Sequence, residues 1–236
     1  MSPDVGTDPG PSAGAGSSGA GRDPDVGGAR HTATAGLLLV RGEPARAREW
    51  ALNGLSPVVV APQDGGWTAV VPHGGRSWAA APFDDALGVL LGRRVKRRLL
   101  PAIGVALVGR RMVLCVIPAV LRPRRSWLVW EPGRGLVVPG TLTPGTVGQL
   151  AAVADHRERR DLAARMLADG RGSAERVLRD LWDTLGLPGS DLATGVSAAV
   201  DAPGAVLVEP SREDVARFDR TVHEVRRWRE EVEGSR

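Results

Sequence analysis

Residues 103–117 read IGVALVGRRMVLCVI, two apolar stretches separated by Gly109-Arg110-Arg111. They lie within residues 99–121, the most membrane-like part of the chain. Two arginines at the centre of a membrane span would each cost about 2.5–3.5 kcal/mol on insertion scales. Each stretch has the length of a buried strand, and a glycine between them suits a tight turn. We therefore predict two strands, 103–108 and 112–117, joined by a hairpin.

The segment before this hairpin alternates strand-like and helix-like patterns. The predicted elements are, in order, a strand at 36–40, a helix at 43–52, strands at 58–60 and 67–71, and a helix at 83–91. Glu43-Pro44 suits a first helical turn, and Asn53-Gly54 ends the helix. The four residues 63–66, Gln-Asp-Gly-Gly, indicate a hairpin, and Asp84 and Asp85 favour the start of the second helix. With strand 103–108 the order is β-α-β-β-α-β, that of a ferredoxin-like unit.

The segment after the hairpin continues the sheet and then becomes helical. We predict strands at 127–130 and 135–138, a helix opened by Thr143-Pro144 and running to about 155, an amphipathic helix marked by Leu162, Met166 and Leu167, and another marked by Val177, Leu178, Leu181, Trp182 and Leu185. Trp127 and Trp130 are three residues apart, so they should face opposite sides of their strand. The apolar positions near Trp182 have helical spacing, which predicts that its side chain is in the core.

The end of the chain predicts a last strand at 205–208 and a closing helix. Ser211 and Asp214 resemble a capping box at its start. Its apolar residues recur three or four apart: Val215, Phe218, Val222, Val225, Trp228 and Val232. A seam that narrow can dock on a core or pair with another helix, and we expect it to dock.

Together these patterns predict an α+β protein with a mixed, largely antiparallel sheet that starts as a ferredoxin-like unit. Residues 34–155 would form the sheet domain, and residues 156–236 a mainly helical section packed on it. Residues 1–33 include 21 Gly, Ala, Ser or Pro residues, so they cannot bury enough apolar area to offset their ordering entropy. We predict that this N-terminal tail is disordered.

The composition is arginine-rich, with one lysine, Lys96, among 31 basic residues and no tyrosine. This bias is typical of a GC-rich bacterial genome. The single cysteine, Cys115, excludes an internal disulfide and is expected to be a small buried hydrophobe. The N-terminus lacks a basic region followed by an apolar one, so we expect a cytoplasmic protein that does not enter a membrane.

The sequence predicts no catalytic residue, no cofactor and no metal site. A phosphate-binding Walker loop needs Lys followed by Ser or Thr, whereas Lys96 is followed by Arg97. The four histidines are scattered, and His73 is expected to be an ordinary loop residue. Helix capping accounts for Asp84-Asp85 without any chemistry, and Asp155-His156 carries no clearer signal.

The charge distribution is the sharpest functional clue. Residues 86–130 contain ten Arg or Lys and no Asp or Glu, which leaves a net charge of −6 on the other 191 residues. In an up-and-down meander the basic residues near 93–98 and 122–125 share one end of the sheet, while Arg110 lies at the other. The predicted anion- or nucleic-acid-binding residues are Arg93, Arg94, Lys96, Arg97, Arg98, Arg122, Arg124 and Arg125.

Three functions are compatible with these sequence patterns. The first is a non-enzymatic cytoplasmic accessory or protein-interaction protein, whose partner is another protein or a second copy bound through the closing helix. In that case the basic residues form a solvated rim. The alternative is a nucleic-acid-binding protein that uses the basic segment 93–125. The third is an enzyme acting on an anionic substrate, which would need a pocket that joins the arginines to His73 or Asp84.

Overall fold

The computed structural model describes residues 35–194 and 196–233, so the predicted disorder of residues 1–33 lies outside the described residues. The strands are β1 (Ala35–Arg41), β2 (Val58–Pro62), β3 (Trp67–Pro72), β4 (Ala102–Val108), β5 (Arg111–Ile117), β6 (Ser126–Glu131), β7 (Gly135–Val137) and β8 (Val206–Val208). The helices are α1 (Pro44–Leu52), α2 (Ala86–Gly92), α3 (Val147–Val153), α4 (Arg160–Ala168), α5 (Ala174–Thr184), α6 (Ser190–Thr194), α7 (Val196–Val200) and α8 (Arg212–Glu233).

The strands form one sheet in the order β7-β6-β5-β4-β1-β3-β2-β8, with antiparallel pairing throughout. Its centre, β4-β1-β3-β2, is the ferredoxin-like arrangement, because α1 and α2 each connect strands that have a third strand between them. Leu38 of β1 lies opposite both Val70 and Gly104. The predicted α+β class and ferredoxin-like start are confirmed. β5, β6 and β7 extend the sheet beyond β4, and β8 pairs with the β2 edge.

The apolar run 103–117 forms the predicted hairpin. Val105 of β4 lies opposite Leu114 of β5, and Gly109-Arg110 makes the turn between the strands. Gly109 has a φ of 58°, a conformation that glycine adopts readily. Within the ranges 35–194 and 196–233, no helix combines the length and apolar character needed to cross a membrane.

The central strand β1 is buried on both sides, which explains its continuous apolar sequence. Leu37 and Leu39 pack in a core with residues of α3, α4, α5 and α6, whereas Leu38 and Val40 pack with α1 and α2 on the opposite face. Successive strand residues point to opposite faces, so each face needs its own set of apolar positions. The sheet is therefore the middle layer between two sets of helices.

The helical layer follows the predicted apolar positions in α5 but not in α4. Val177, Leu178, Leu181 and Trp182 of α5 are all buried, as predicted. In α4 the prediction for Leu162 is wrong, because this side chain is 49% exposed while Leu167 is fully buried. Residues five apart in a helix lie on different faces, so Leu167 shares its buried face with Ala163, one turn earlier.

The helix α3 begins three residues later than predicted. Its N-cap is Thr146, whose hydroxyl accepts a hydrogen bond from the backbone N–H of Gln149 at 3.1 Å. In return, the side-chain oxygen of Gln149 accepts from the backbone N–H of Thr146 at 3.0 Å. The preceding residues run alongside β6 instead: the Trp127 amide donates to the Thr143 carbonyl at 2.9 Å, and the Gly145 amide donates to the Trp127 carbonyl at 2.7 Å. A strand-edge pairing therefore replaces the predicted first turn at Thr143-Pro144.

The helix α2 also begins later than residue 83. Asp85 is the N-cap, and its carboxylate accepts from the Leu87 amide at 3.1 Å. An aspartate in this position satisfies an amide that the helix itself leaves unpaired. The capping interpretation is thus confirmed for Asp85, but neither aspartate lies within the first turn.

The closing helix α8 docks on the protein through its first half only. Val215 is buried, and the ring of Phe218 meets that of Phe83 edge-to-face at 5.1 Å. The Arg212 guanidinium lies 3.6 Å from the centre of the Trp78 ring. From residue 223 to residue 233 every side chain is exposed. The prediction that the whole apolar seam docks is wrong for its second half, which contains Val225, Trp228 and Val232.

Candidate functional site

Two basic segments of the chain meet at one end of the sheet. Residues 93–98 lead into β4, and residues 122–125 follow β5. Since β4 and β5 are antiparallel neighbours, the start of one lies beside the end of the other. The Arg125 guanidinium joins the segments directly, because it donates to the Gly92 carbonyl (2.9 Å) and to the Arg93 carbonyl (2.6 Å).

Between these segments lies a depression of about 440 Å³, here called the arginine cleft. Its walls are Gly92, Arg94, Val95, Ile117, Leu121, Arg122, Pro123, Arg124 and Arg125, with no acidic residue among them. Arg94, Arg122 and Arg124 are exposed. Among the described residues, no carboxylate lies within 4.0 Å of these three guanidinium groups. The cleft therefore presents uncompensated positive charge to an incoming anion.

Arg93 belongs to a different environment, although it precedes Arg94 directly. Its guanidinium lies 4.3 Å from the centre of the Trp50 ring and donates to the Trp50 carbonyl at 2.6 Å. Burial against α1 lowers the pKa of Arg93 to about 10. Arg93 therefore connects the end of α2 to the end of α1, and it does not line the arginine cleft.

The remaining predicted basic residues, Lys96, Arg97 and Arg98, do not line the arginine cleft. Lys96 forms an ion pair with Glu49 of α1 at 3.0 Å, and the hydrogen bond and charge of Lys96 lower the pKa of that carboxyl. Arg97 and Arg98 are exposed in a short 3₁₀ turn before β4. They add exposed positive charge to the segment 93–98 without lining the cleft.

The hairpin arginines are far from the cleft in the fold. Arg110 lies in the turn at the opposite end of β4 and β5. Arg111 opens β5 and forms an ion pair with Glu131 of β6 at 2.8 Å. The ten basic residues of the 86–130 segment are thus divided between two ends of the sheet.

The tryptophans of β6 face opposite sides, as predicted. Trp130 is fully buried in the core beneath α3 to α6, while Trp127 is half-buried on the other face with the Arg125 guanidinium 6.0 Å from its ring centre. Neither ring lines the arginine cleft. The cleft walls therefore offer charge and aliphatic surface to a ligand, but no aromatic platform.

The histidine and carboxylate candidates do not meet the arginines. His73 is exposed in a loop, and neither His73 nor Asp84 lines the arginine cleft. His156 Nδ1 lies 2.9 Å from Glu158 on the surface. In the described parts of the chain, no three His, Cys, Asp or Glu side chains are grouped as a metal site would require. Cys115 is buried, and burial raises its thiol pKa to about 12, so it is a poor nucleophile at neutral pH.

A second concavity, which the sequence reasoning missed, lies on the side of the sheet that is covered by α1 and α2. This helix-face cavity has a volume of about 550 Å³ and is walled by Asn53, Leu55, Pro82, Phe83, Asp85, Gly88, Val89, Gly92, Arg93 and Phe218. Its one local signal is Gly88 and Gly92, one helical turn apart in a seven-residue helix. The wall formed by Phe218 depends on where α8 docks, which no local pattern indicates.

Comparison with models of protein families, with curated proteins and with solved structures finds no match to this chain. Its function is accordingly inferred from its own charges, cavities and exposed faces.

Proposed function

We propose that this protein binds nucleic acid through the arginine cleft, by contacts to the phosphate backbone. The supporting observation is the convergence of Arg94, Arg122 and Arg124 around one acid-free depression, held together by the bonds from Arg125 to the opposite segment. Guanidinium groups suit this role because their planar set of N–H donors matches phosphate oxygens. We also propose that the protein is bacterial, for which its arginine-rich composition is the support, and that it acts in the cytoplasm.

Binding of this kind would depend on the charge of the phosphate backbone and not on the base sequence of the nucleic acid. Each neutralised phosphate releases condensed counterions, so affinity falls steeply as salt is added. The cleft walls lack the aromatic rings on which single-strand binders stack bases. We therefore expect similar affinity for unrelated sequences.

The test is fluorescence anisotropy with labelled random-sequence duplex and single-stranded oligonucleotides at several salt concentrations. For duplex, log K against log salt should have a slope of about −0.9 per phosphate neutralised. The variant Arg94→Ser/Arg122→Ser/Arg124→Ser should flatten that slope by up to about three contacts. A matched control, Arg110→Ser/Arg165→Ser/Arg179→Ser, removes the same charge from exposed positions away from the cleft and should leave most of the slope intact.

Two results would contradict the proposal. One is the absence of binding to either oligonucleotide at low salt. The other is an equal loss of binding in the cleft variant and the control variant, which would show that net charge and not the cleft attracts the ligand. Circular dichroism of both variants establishes that they are folded.

A second candidate function, an accessory protein that acts by self-association, is favoured by the exposed half of α8. Val225, Trp228 and Val232 form an apolar stripe there, and Trp228 is 63% exposed. Around this stripe Arg226, Arg227 and Arg229 are followed by Glu230, Glu231 and Glu233. A second copy in antiparallel orientation would bring the arginines of each helix beside the glutamates of the other, whereas parallel pairing would juxtapose like charges.

Sedimentation equilibrium tests this candidate. The wild-type chain should associate with concentration, and Trp228→Ser should shift it to monomer. Leu162→Ser, which removes an exposed apolar side chain from α4, is the matched control and should associate like the wild type. A wild-type protein that stays monomeric at high micromolar concentration would exclude self-association through α8.

A further inference from the structure

The helix-face cavity runs along α2 and has a charged group near each end. Asp85 caps the start of the helix and Arg93 follows its last residue, so the two are about 12 Å apart at 1.5 Å per residue. No atom lies within 4 Å of where a Cβ on Gly92 would stand, whereas Asp85 Oδ2 lies 2.6 Å from where a Cβ on Gly88 would stand. The floor of the cavity is therefore open at Gly92, whereas the Asp85 carboxylate covers the helix backbone at Gly88.

The two ends of the cavity differ in the charge that they leave available. At one end Asp85 Oδ1 accepts from the backbone N–H of Leu87 as a helix cap, and Asp85 Oδ2 lies over Gly88 and leaves this end negative. Arg93 has carbonyl and ring contacts with Trp50, but among the described residues no carboxylate forms an ion pair with it. Burial without a counterion lowers the pKa of Arg93 to about 10. A partly desolvated cation of this kind is stabilised by a bound anion.

The walls between the ends are mainly apolar. Phe83 and Phe218 meet edge-to-face with centroids 5.1 Å apart, and Val89 lines the helix side. The volume, about 550 Å³, lies in the range of small-molecule sites, which combine apolar walls with a few placed polar groups. Gly92 is the one wall residue that this cavity shares with the arginine cleft, so the two sites have no arginine in common.

We propose that the helix-face cavity binds a small amphipathic organic anion, an aromatic or aliphatic carboxylate whose charged group lies at Arg93 and whose apolar body lies against Val89, Phe83 and Phe218. This site is independent of the proposed nucleic-acid function. Because Phe218 of α8 forms one wall of the cavity, a bound ligand would also stabilise the docked half of this helix.

A calorimetric titration of the wild-type protein with 2-naphthoate and with its uncharged analogue 2-naphthamide tests the charge requirement. The two probes have nearly the same shape, so the difference in their affinities reports the interaction with Arg93. We expect 2-naphthoate to bind with a dissociation constant below about 1 mM and 2-naphthamide to bind at least tenfold more weakly, a difference of about 1.4 kcal/mol. No variant is needed for this comparison, so it does not depend on a substitution that could affect folding.

The location is tested with Val89→Trp, which places an indole in the cavity and should weaken 2-naphthoate at least tenfold. Leu162→Trp, an exposed position on α4, is the control and should bind like the wild type. Three results would overturn the proposal. The wild type could bind 2-naphthoate and 2-naphthamide with equal affinity, or it could fail to bind 2-naphthoate at millimolar concentration. The Val89→Trp variant could bind 2-naphthoate as tightly as the wild type does.

Discussion

Trp182 of α5 is held in the core both by packing and by a hydrogen bond to the loop that follows its helix. The ring is fully buried, and its Nε1–H donates to the carbonyl of Pro188 at 3.2 Å. Truncation would leave a large void among close-packed neighbours and remove this hydrogen bond. The residue thus contributes packing that no neighbouring side chain can replace.

Trp182→Ala should lower the free energy of unfolding by about 3–5 kcal/mol, measured by denaturant titration. Leu162→Ala, on the exposed side of α4, should change it by less than about 0.5 kcal/mol. A Trp182→Ala midpoint equal to that of the wild type would show that the ring is not in the core.

Cys115 predicts a decline of stability at alkaline pH. The folded protein holds the thiol proton up to a pKa of about 12, whereas the unfolded chain, with the ordinary value of 9.0, loses it earlier. The free energy of unfolding should therefore fall as pH rises from about 9 towards 12, by at most about 1.4 kcal/mol per pH unit. Below pH 9 the thiol is protonated in both states and contributes no slope.

Denaturant titrations of the wild type and of Cys115→Ala across pH 8–11 would isolate this effect. The chain has no tyrosine, and Arg93, whose pKa burial lowers to about 10, is common to both proteins. The variant should show the smaller alkaline decline. Identical slopes would mean that the thiol is accessible to solvent in the folded protein.

The start of α3 illustrates how local hydrogen bonds define an element. The sequence at Thr143-Pro144 predicts a helix start, but the chain at 143–145 pairs with β6. This pairing delays the helix until Thr146, which caps it reciprocally with Gln149. Pairing with a nearby strand edge thus prevented the helix from starting at Thr143-Pro144.

Thr146→Ala should therefore destabilise the protein by about 0.5–2 kcal/mol, the usual cost of losing an N-cap. Thr143→Ala is the matched control and should have little effect, because Thr143 is exposed and contributes its backbone carbonyl. Thermal or chemical denaturation measures both. A larger loss for Thr143→Ala than for Thr146→Ala would contradict the observed cap.

In the molecule as a whole, α8 packs on the protein through its first half and is exposed along its second half. Its first half contacts the segment around Trp78 and Phe83, and the Ala80 amide donates to Asp219 at 3.0 Å. Every side chain from residue 223 to residue 233 is exposed. Stability should therefore depend on the first half alone.

A chain that ends at Val222 should melt within a few degrees of the full chain at low protein concentration. A chain that ends at Pro210 should melt at a clearly lower temperature, because it exposes Phe83 and loses the Arg212 and Asp219 contacts. Differential scanning calorimetry distinguishes the two. A large loss on cutting at Val222 would show that the second half of α8 packs on the protein.

The amino-acid sequence by itself determined the sheet and the main buried positions. Continuous apolar runs at 36–40 and 103–117, glycine turns and helical spacing around Trp182 are local patterns, and each restricts the chain in its own neighbourhood. They were sufficient for the ferredoxin-like strand order and for the burial of Cys115. They were also sufficient to mark the basic segments.

Only the tertiary structure decided how those basic segments divide and where the cavities lie. Arg93 and Arg94 are identical in type and adjacent in sequence, yet one packs on Trp50 and the other lines the arginine cleft. The contacts of Phe83 with Phe218 and of Arg125 with Gly92 join residues far apart in the chain. Such contacts depend on how whole elements pack, and packing is cooperative over the folded molecule, so no local pattern contains it.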